Sequence, residues 1–435
     1  MKTTSPLCRV ALAMALSFAG AAAQAQTATE QALLQRLDQL AAELGKVRAE
    51  LTQMQLKQAA APAPVAVAVA VAAPVVLEAL APVQPDAQPK TVISGYAELN
   101  YNRPTKATQN AQADVRRAVL GYQHRFDEKT KVVTEIEIEH AVSSASDPGE
   151  VAIEQAYIEH QITPTWAVRG GLFLMPVGLL NENHEPPSFL GVERNFVETA
   201  IIPSTWREGG LQLVGSFDNG LTVQGGISTT FDLNKWDAGS TEGRESPLSS
   251  VHQELALAKS RDLAMFGAVN WRGVPGLLLG ASVFTGQATH KQAAVESRIT
   301  LWDVHARWTP GRWDLSALYT RGSISNTAAL NAPLVGGLSL IPRSFDGAYL
   351  QAGYIAWQSG SYRLTPFVRY ERFNTARSYA DLGQGLTPKA LPSERVSTVG
   401  ANFQLTPGVV VKADVQRFGE AKDQNRVNLG LGWSF

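Results

Sequence analysis

The chain from Val92 onward predicts an all-β fold: a sixteen-stranded antiparallel transmembrane β-barrel. Three observations predict it. Sixteen short segments alternate apolar and polar residues, the connections between them are alternately short and long, and the last segment ends on an aromatic residue, Phe435. In lipid every backbone polar group must be paired, so a sheet that spans a bilayer has to close on itself.

The predicted strands are each about ten residues long, as expected of tilted strands that cross a membrane. They share period-two alternation and are bounded by Gly, Pro, Asn, Asp or Ser. In order they cover 92–101, 113–125, 130–141, 151–162, 165–175, 207–217, 220–231, 260–272, 276–287, 298–309, 312–322, 346–358, 361–373, 394–405, 408–418 and 425–435.

The third strand shows most clearly what the alternation means. Ile136 and Ile138 fall on one face, and Glu135, Glu137 and Glu139 fall on the other. Three alternating carboxylates are compatible with a face in water and not with a face in lipid. The pattern therefore predicts an apolar outer surface around a polar lumen.

The connections segregate by length. Every second one is tight, such as 163–164 and 218–219, and those between are long, such as 176–206 and 232–259. Short turns at one end and long loops at the other are typical of membrane barrels. The loop 176–206 mixes apolar and charged residues, so we expect it to fold inward as a constriction. Its charged candidates are Glu182, Glu185, Glu193, Arg194 and Glu198. The alternative is an external cap or a contact between subunits.

Three segments precede the barrel. Residues 1–25 have the positive start, short apolar run and small-residue cleavage site of a signal peptide. Residues 26–58 carry leucines at alternating spacings of four and three, which predicts a short periplasmic coiled coil. A single amphipathic helix packed on its own protein is the alternative. Residues 59–91 form an Ala/Pro-rich linker.

The composition excludes several classes of function. The net charge is −1, which gives no basic field for nucleic acid. The single cysteine, Cys8, falls in the signal peptide, so the mature chain is expected to have no disulfide, thiolate metal site or cysteine nucleophile. The seven histidines are scattered, and no hydrolase, phosphate-loop or metalloprotease motif is present. We expect no enzyme activity, no cofactor and no metal.

Residues 92–435 resemble the phosphate-selective porin O and P family. The resemblance rests on the order of six segments: GYAE at 95–98, DVRRA at 114–118, EQAY at 154–157, GGLFLMPVG at 170–178, GVERN at 191–195 and GWSF at 432–435. It implies a trimeric channel of sixteen strands whose inward-folded loops narrow the lumen.

Charged residues on the inner face are the candidates for selectivity, because rings or ladders of charge filter solutes at a constriction. Because every second residue of a strand faces inward, the candidates are Arg116 (or its neighbour Arg117), Glu135, Glu137, Glu139, Arg169, Asp303, Arg307, Arg363, Arg369 and Lys412. The chain has 38 basic and 39 acidic side chains, of which seven basic and six acidic ones precede residue 91. The barrel is therefore nearly balanced in charge, so phosphate specificity does not follow from the resemblance.

The sequence as a whole predicts a porin of a Gram-negative outer membrane. Small hydrophilic solutes or ions, including anions such as phosphate, would diffuse through it passively. The expected partners are two further copies in a homotrimer, outer-membrane lipid and lipopolysaccharide, and the barrel-assembly machinery, which would read Phe435. The alternative function is a structural barrel that its coiled coil tethers to the cell wall or periplasm.

Overall fold

The computed structural model describes residues 90–435, apart from 145, 148 and 384, together with Ala42 and Lys46, which are helical. The predicted signal peptide, and nearly all of the coiled coil and of the linker, lie outside the described residues. Within the described part of the chain, no helix is both long enough and apolar enough to cross a membrane.

Sixteen strands form one closed antiparallel barrel, which confirms the predicted number. Each strand pairs with the next along the chain, and β16 pairs back onto β1. One strand, β12, is interrupted at 355–356. The bounds are β1 Thr91–Pro104, β2 Gln112–Arg125, β3 Thr130–Glu139, β4 Glu150–Gln161, β5 Trp166–Leu174, β6 Arg207–Ser216, β7 Leu221–Ser228, β8 Ala264–Trp271, β9 Leu277–Gln287, β10 Arg298–Trp308, β11 Trp313–Ile324, β12 Ser344–Tyr354 with Trp357–Ser359, β13 Tyr362–Ser378, β14 Glu394–Thr406, β15 Val409–Phe418 and β16 Arg426–Ser434.

Short helical turns lie in the long connections at one end of the barrel. Two are α-helical, α1 (Glu242–Glu245) and α2 (Thr327–Asn331). The connection between β5 and β6 contains a π-helical turn, Val197–Ile201. Single 3₁₀ turns occupy Thr108–Asn110, Pro186–Ser188, Leu233–Lys235, Ser249–Val251, Ala332–Leu334 and Lys422–Gln424.

The two faces of the barrel differ as the alternation predicts. On β3, Ile136 and Ile138 are 42% and 43% exposed on the outer face, whereas Glu137 on the inner face is 3% exposed. Backbone hydrogen bonds close the barrel at the last residue: Gly95 N donates to Phe435 O at 3.1 Å, and Phe435 N donates to Gly95 O at 2.9 Å. Exposed aromatic rings mark the short-turn end, where such residues meet a membrane interface: Trp308, Trp313, Tyr354, Trp357 and Tyr362.

An apolar core fills much of the lumen on the β5–β12 side, which the sequence did not predict. The inner faces of β8 to β12 contribute large apolar side chains near the long-loop end, among them Phe284, Leu301 and Phe345. The long loops after β5, β7 and β11 fold down and bury their own apolar residues against them. Trp206 lies at the centre, with its ring centroid 5.1 Å from that of Phe231 and 4.7 Å from that of Phe284.

This core decides where water can lie inside the barrel. Trp206, Phe231 and Phe284 have no exposed surface. Packing of this density leaves no passage for a hydrated solute. The polar part of the lumen is therefore displaced toward the opposite wall, which β13 to β16 and β1 to β4 form.

Candidate functional site

The loop between β5 and β6, residues 175–206, lies inside the barrel, and its middle part is bound to the wall. Lys412 Nζ donates to Phe189 O at 3.0 Å and lies 3.5 Å from the centre of the Phe189 ring. Asn402 Nδ2 donates to the same carbonyl at 3.2 Å, and Val192 N donates to Asp414 Oδ2 at 2.7 Å. Residues 187–196 form a partition across the lumen.

Two further wall charges hold the partition. Arg369 donates to the carbonyls of Leu190 and Glu193 at 3.1 and 3.3 Å. Glu371 accepts from Phe196 N at 3.0 Å and pairs with Arg369 at 3.1 Å. Arg369 and Glu371 are almost fully buried, and backbone groups of the loop satisfy much of their hydrogen-bonding capacity. They therefore position the loop.

Asp303 and Lys412 have the same anchoring role. Asp303 is 1% exposed, and its carboxylate accepts from Gly178 N at 3.2 Å, from Ser282 and from His305. Of the sequence candidates, Arg369, Lys412 and Asp303 lie on the inner face, as parity indicates, but each is bound to loop 175–206.

Glu198 organises the inside of the loop. Its Oε1 accepts from the backbone N of Leu179 and Leu180 at 2.6 and 2.8 Å. Its Oε2 accepts from Asn195 Nδ2 at 2.8 Å and from Tyr349 OH on β12 at 2.9 Å. Burial raises the pKa of the Glu198 carboxyl, and these four donors act in the opposite direction by stabilising the carboxylate. One side chain thus ties both ends of the loop to the barrel.

We expect Glu198→Gln to loosen the loop, because an amide NH₂ would replace an oxygen that accepts two hydrogen bonds. An unsatisfied buried group costs about 1–3 kcal/mol. The temperature at which the folded barrel loses its compact electrophoretic mobility should fall, and current noise in single-channel recordings should rise. Glu185→Gln is the matched control, since Glu185 is on the same loop and exposed. Equal melting and noise in the two variants would contradict the assignment.

An outer chamber of about 520 Å³ lies on the long-loop side of the partition. Its centre is Arg117, which pairs with Glu98 at 2.9 Å, Glu137 at 2.8 Å and Glu139 at 3.6 Å. The side chains of Arg117, Glu98 and Glu137 are only 6%, 7% and 4% exposed. The lining contains five arginines and six glutamates: Arg116, Arg117, Arg194, Arg207, Arg426, Glu98, Glu137, Glu139, Glu150, Glu193 and Glu254.

A β-bulge places two consecutive arginines on this chamber. Glu98 pairs with Arg117 and Leu99 with Val115, so Arg116 is the extra residue on β2. Strict alternation points only one of Arg116 and Arg117 inward, whereas both line the chamber. Burial opposes the ionisation of Glu193, yet Arg116, Arg426 and two asparagine amides hold the pKa of its carboxyl below the usual value.

An inner chamber of about 350 Å³ lies on the short-turn side. Arg307 pairs bidentately with Asp314, at 3.0 and 2.7 Å, and Arg363 donates to Gln404. The charged residues of this lining are two arginines and one aspartate, so the inner chamber is net basic. Arg307 and Arg363 are therefore the sequence candidates that face this space.

The partition lies between the two chambers. Residues 187–190 line the inner one, and residues 192–194 and 196 line the outer one. The partition separates the two chambers, and its position is set by the wall side chains that hold it.

The remaining candidates lie near β3 to β7. Gln155 donates to Glu135 at 2.5 Å, and Arg169 donates to Glu159 at 2.6 Å. On the loop, Glu182 accepts from Gln224 at 3.0 Å. Sequence reasoning missed an ion pair here: His184 Nε2 lies 2.8 Å from Glu154, a residue placed inward by a second β-bulge. The signal in the sequence was a histidine, His184, within a loop that was predicted to fold inward.

Arg194 of the partition is almost fully buried and donates to Ser204 and Thr205 at 2.7 and 2.9 Å. It thereby fastens the partition to the end of its own loop. Within residues 90–435 as described, no three His, Cys, Asp or Glu side chains are grouped so that they could hold a metal ion.

Comparisons with known proteins place this fold. No family model matches the chain. An uncharacterised protein of Aquifex aeolicus (strain VF5) is 29% identical over 356 residues, which are 79% of each chain. Salmonella typhi OmpF, solved in complex with daunomycin, is 13% identical over 79% of this chain and 97% of that one, with a TM-score of 0.56. The outer membrane channel DcaP of Acinetobacter baumannii is 14% identical over the same shares, with a TM-score of 0.52. At these identities the likeness is one of fold.

Proposed function

We propose that this protein is an outer-membrane porin, through which small hydrophilic solutes and ions diffuse passively. The observation that carries the proposal is the loop 175–206, which crosses the interior of a closed barrel and leaves charged chambers on both sides. A barrel of sixteen strands is wide enough for an aqueous lumen. The fold shared with OmpF and DcaP supports it. A homotrimer in the outer membrane, as the sequence resemblance implies, is part of the proposal.

We propose a weak preference for anions, phosphate among them, set by the net basic inner chamber, and no strict phosphate specificity. The outer chamber carries five guanidinium groups against six carboxylates, and the inner chamber carries two against one. Charges of both signs at close range leave a small net field, and selectivity depends on that net field at the constriction. A phosphate would bind at Arg363, the arginine of the inner chamber that donates to an amide oxygen and not to a carboxylate.

The test is the reversal potential of the purified barrel in a planar bilayer under a KCl gradient. We expect a small potential of anion-selective sign, which Arg363→Gln should reduce and Arg125→Gln, at the short-turn rim, should not. A cation-selective potential would overturn the anion preference while leaving a general porin. Because charge effects are screened by salt, the potential should shrink as the salt concentration of both compartments is raised.

The apolar core that fills the β5–β12 side of the lumen favours a second candidate, the structural barrel. In that case a correctly folded protein would show no conductance. Deleting residues 26–89 would then weaken the cell envelope, whereas for a porin the same deletion would leave conductance unchanged.

A further inference from the structure

Three arginines form a patch on the outer face of the barrel at its long-loop end. Arg372 on β13, Arg395 on β14 and Arg417 on β15 are all exposed. Arg372 and Arg395 are direct cross-strand partners, and Arg417 faces Ser397, two residues from Arg395 on the same face. Neighbouring strands are about 4.8 Å apart, so the patch spans roughly 10 Å. Like charges directly opposite each other are destabilising without a counter-ion.

The patch has no carboxylate partner in the part of the chain that the structure describes. No acidic oxygen lies within 4.0 Å of any of the three guanidinium groups. Glu394 is adjacent in sequence, but its carboxylate accepts from the backbone N of Gly419, Glu420 and Ala421 at 2.9, 3.0 and 2.9 Å. Arg372 donates to Ser393 at 3.1 Å, which supplies no charge.

An apolar groove of about 560 Å³ adjoins the patch on the same outer face. Tyr370 and Ser397, each two residues from an arginine of the patch, form its upper end. Small residues make the floor and large ones make the walls: Ala306, Ala317 and Ala352 below, with Trp308, Leu350, Val368 and Val399 around them. Arg298 on β10 and Arg321 on β11 are also exposed, and with the patch they form the basic edge of the groove. β12 interrupts this edge with Asp346, the cross-strand partner of Arg321.

The distance between the basic edge and the aromatic end matches a membrane. Arg372 is ten residues along β13 from the exposed Tyr362, which is roughly 33 Å at about 3.3 Å per residue. A strand tilted by about 40° then spans roughly 25 Å, the height of the apolar band of such barrels. The arginines thus lie at the level of lipid headgroups, with the groove at the level of acyl chains.

We propose that the arginine patch and the groove bind a lipid with several acyl chains and more than one phosphate, the chemical class of lipid A. Guanidinium groups pair with phosphate bidentately, and three of them across 10 Å fit two phosphates. The groove takes one or more acyl chains. This inference rests on the outer-membrane location in the proposed function, because that lipid class belongs to the outer leaflet.

The test measures binding of diphosphorylated lipid A to the delipidated full-length protein in detergent, by native mass spectrometry. The triple variant R372Q/R395Q/R417Q should bind at least tenfold more weakly. Its matched control is R125Q/R272Q/R312Q, three arginines near the short-turn end, which should bind like the native protein. Ala352→Trp, which fills the groove, should weaken binding while leaving the patch intact.

Three outcomes would overturn the proposal. The first is that the two triple variants bind lipid A alike. The second is that the native protein binds dephosphorylated lipid A as well as the diphosphorylated form. The third is that free inorganic phosphate occupies the patch with the same affinity as the lipid. Electrophoretic mobility before and after heating confirms that each variant is folded. Conductance of the same samples separates the two proposals: selective lipid binding without conductance would leave this inference standing and reject the porin.

Discussion

Replacing Lys412 by Met and Asn402 by Leu in one protein is expected to raise single-channel conductance several-fold. Together these two side chains make both hydrogen bonds to Phe189 O, and Asn402 Oδ1 also accepts from Gly191 N at 3.2 Å. Without them the partition keeps Asp414, Arg369 and Glu371 as anchors but loses its hydrogen bonds to β14 and to Lys412. The two chambers would then join for part of the time, which planar-bilayer recordings would detect as larger and noisier openings.

The control for this experiment is Lys131→Met. It also removes a lumen lysine, but Lys131 pairs with Glu159 at 2.9 Å and does not contact the partition. Ion preference should move slightly toward cations in both proteins, whereas conductance should rise only in the Lys412/Asn402 variant. Unchanged conductance in a folded variant would mean that the partition does not limit the passage.

Removing Arg117 is expected to produce the largest loss of stability and the largest change in ion preference. Arg117→Met leaves Glu98 and Glu137 buried without their cation, and breaking a buried ion pair by removing one partner costs about 3–5 kcal/mol. The outer chamber also loses one of its five guanidinium groups. The thermal transition should fall, and the reversal potential should move toward cation selectivity.

A second substitution identifies the cause. Adding Glu137→Gln to Arg117→Met removes one uncompensated carboxylate, so part of the stability and part of the anion preference should return. Arg117→Lys keeps the charge but cannot reach Glu98 and Glu137 with separate nitrogens in a fixed fork, and it should give an intermediate result. If Arg117→Met melts like the native protein, the cluster has no stabilising role.

The strands were predictable because period-two alternation and turn residues are local signals. The β3 strand is predicted at 130–141 and observed at Thr130–Glu139, and the closing strand is predicted at 425–435 and observed at Arg426–Ser434. The alternation also predicted correctly that Arg369 and Lys412 lie on the inner face. It did not give their role, because that depends on carbonyl groups of residues 189–193, more than 170 positions away in the sequence.

Two features were missed for identifiable physical reasons. The bulge at Arg116 interrupts the alternation, and nothing in the local sequence marks it. The apolar core did leave a signal: β9 is apolar on both faces, with Val283 45% exposed outside and Phe284 fully buried inside. A strand that is apolar on its inner face contacts protein there and not water. The apolar inner face of β9 therefore predicts a packed core inside the barrel at this strand.

The apolar core divides the barrel into two regions that are held together differently. On the β5–β12 side, a globular interior of packed side chains supports the wall, as in a water-soluble protein. On the other side the wall depends on strand pairing and on ion pairs such as that of Arg117. Regions with such different contacts open with different free energies. Denaturant should therefore release backbone amides for hydrogen exchange in the β16–β4 sector first. The side of the barrel that contains the polar lumen is then also the side that loosens first.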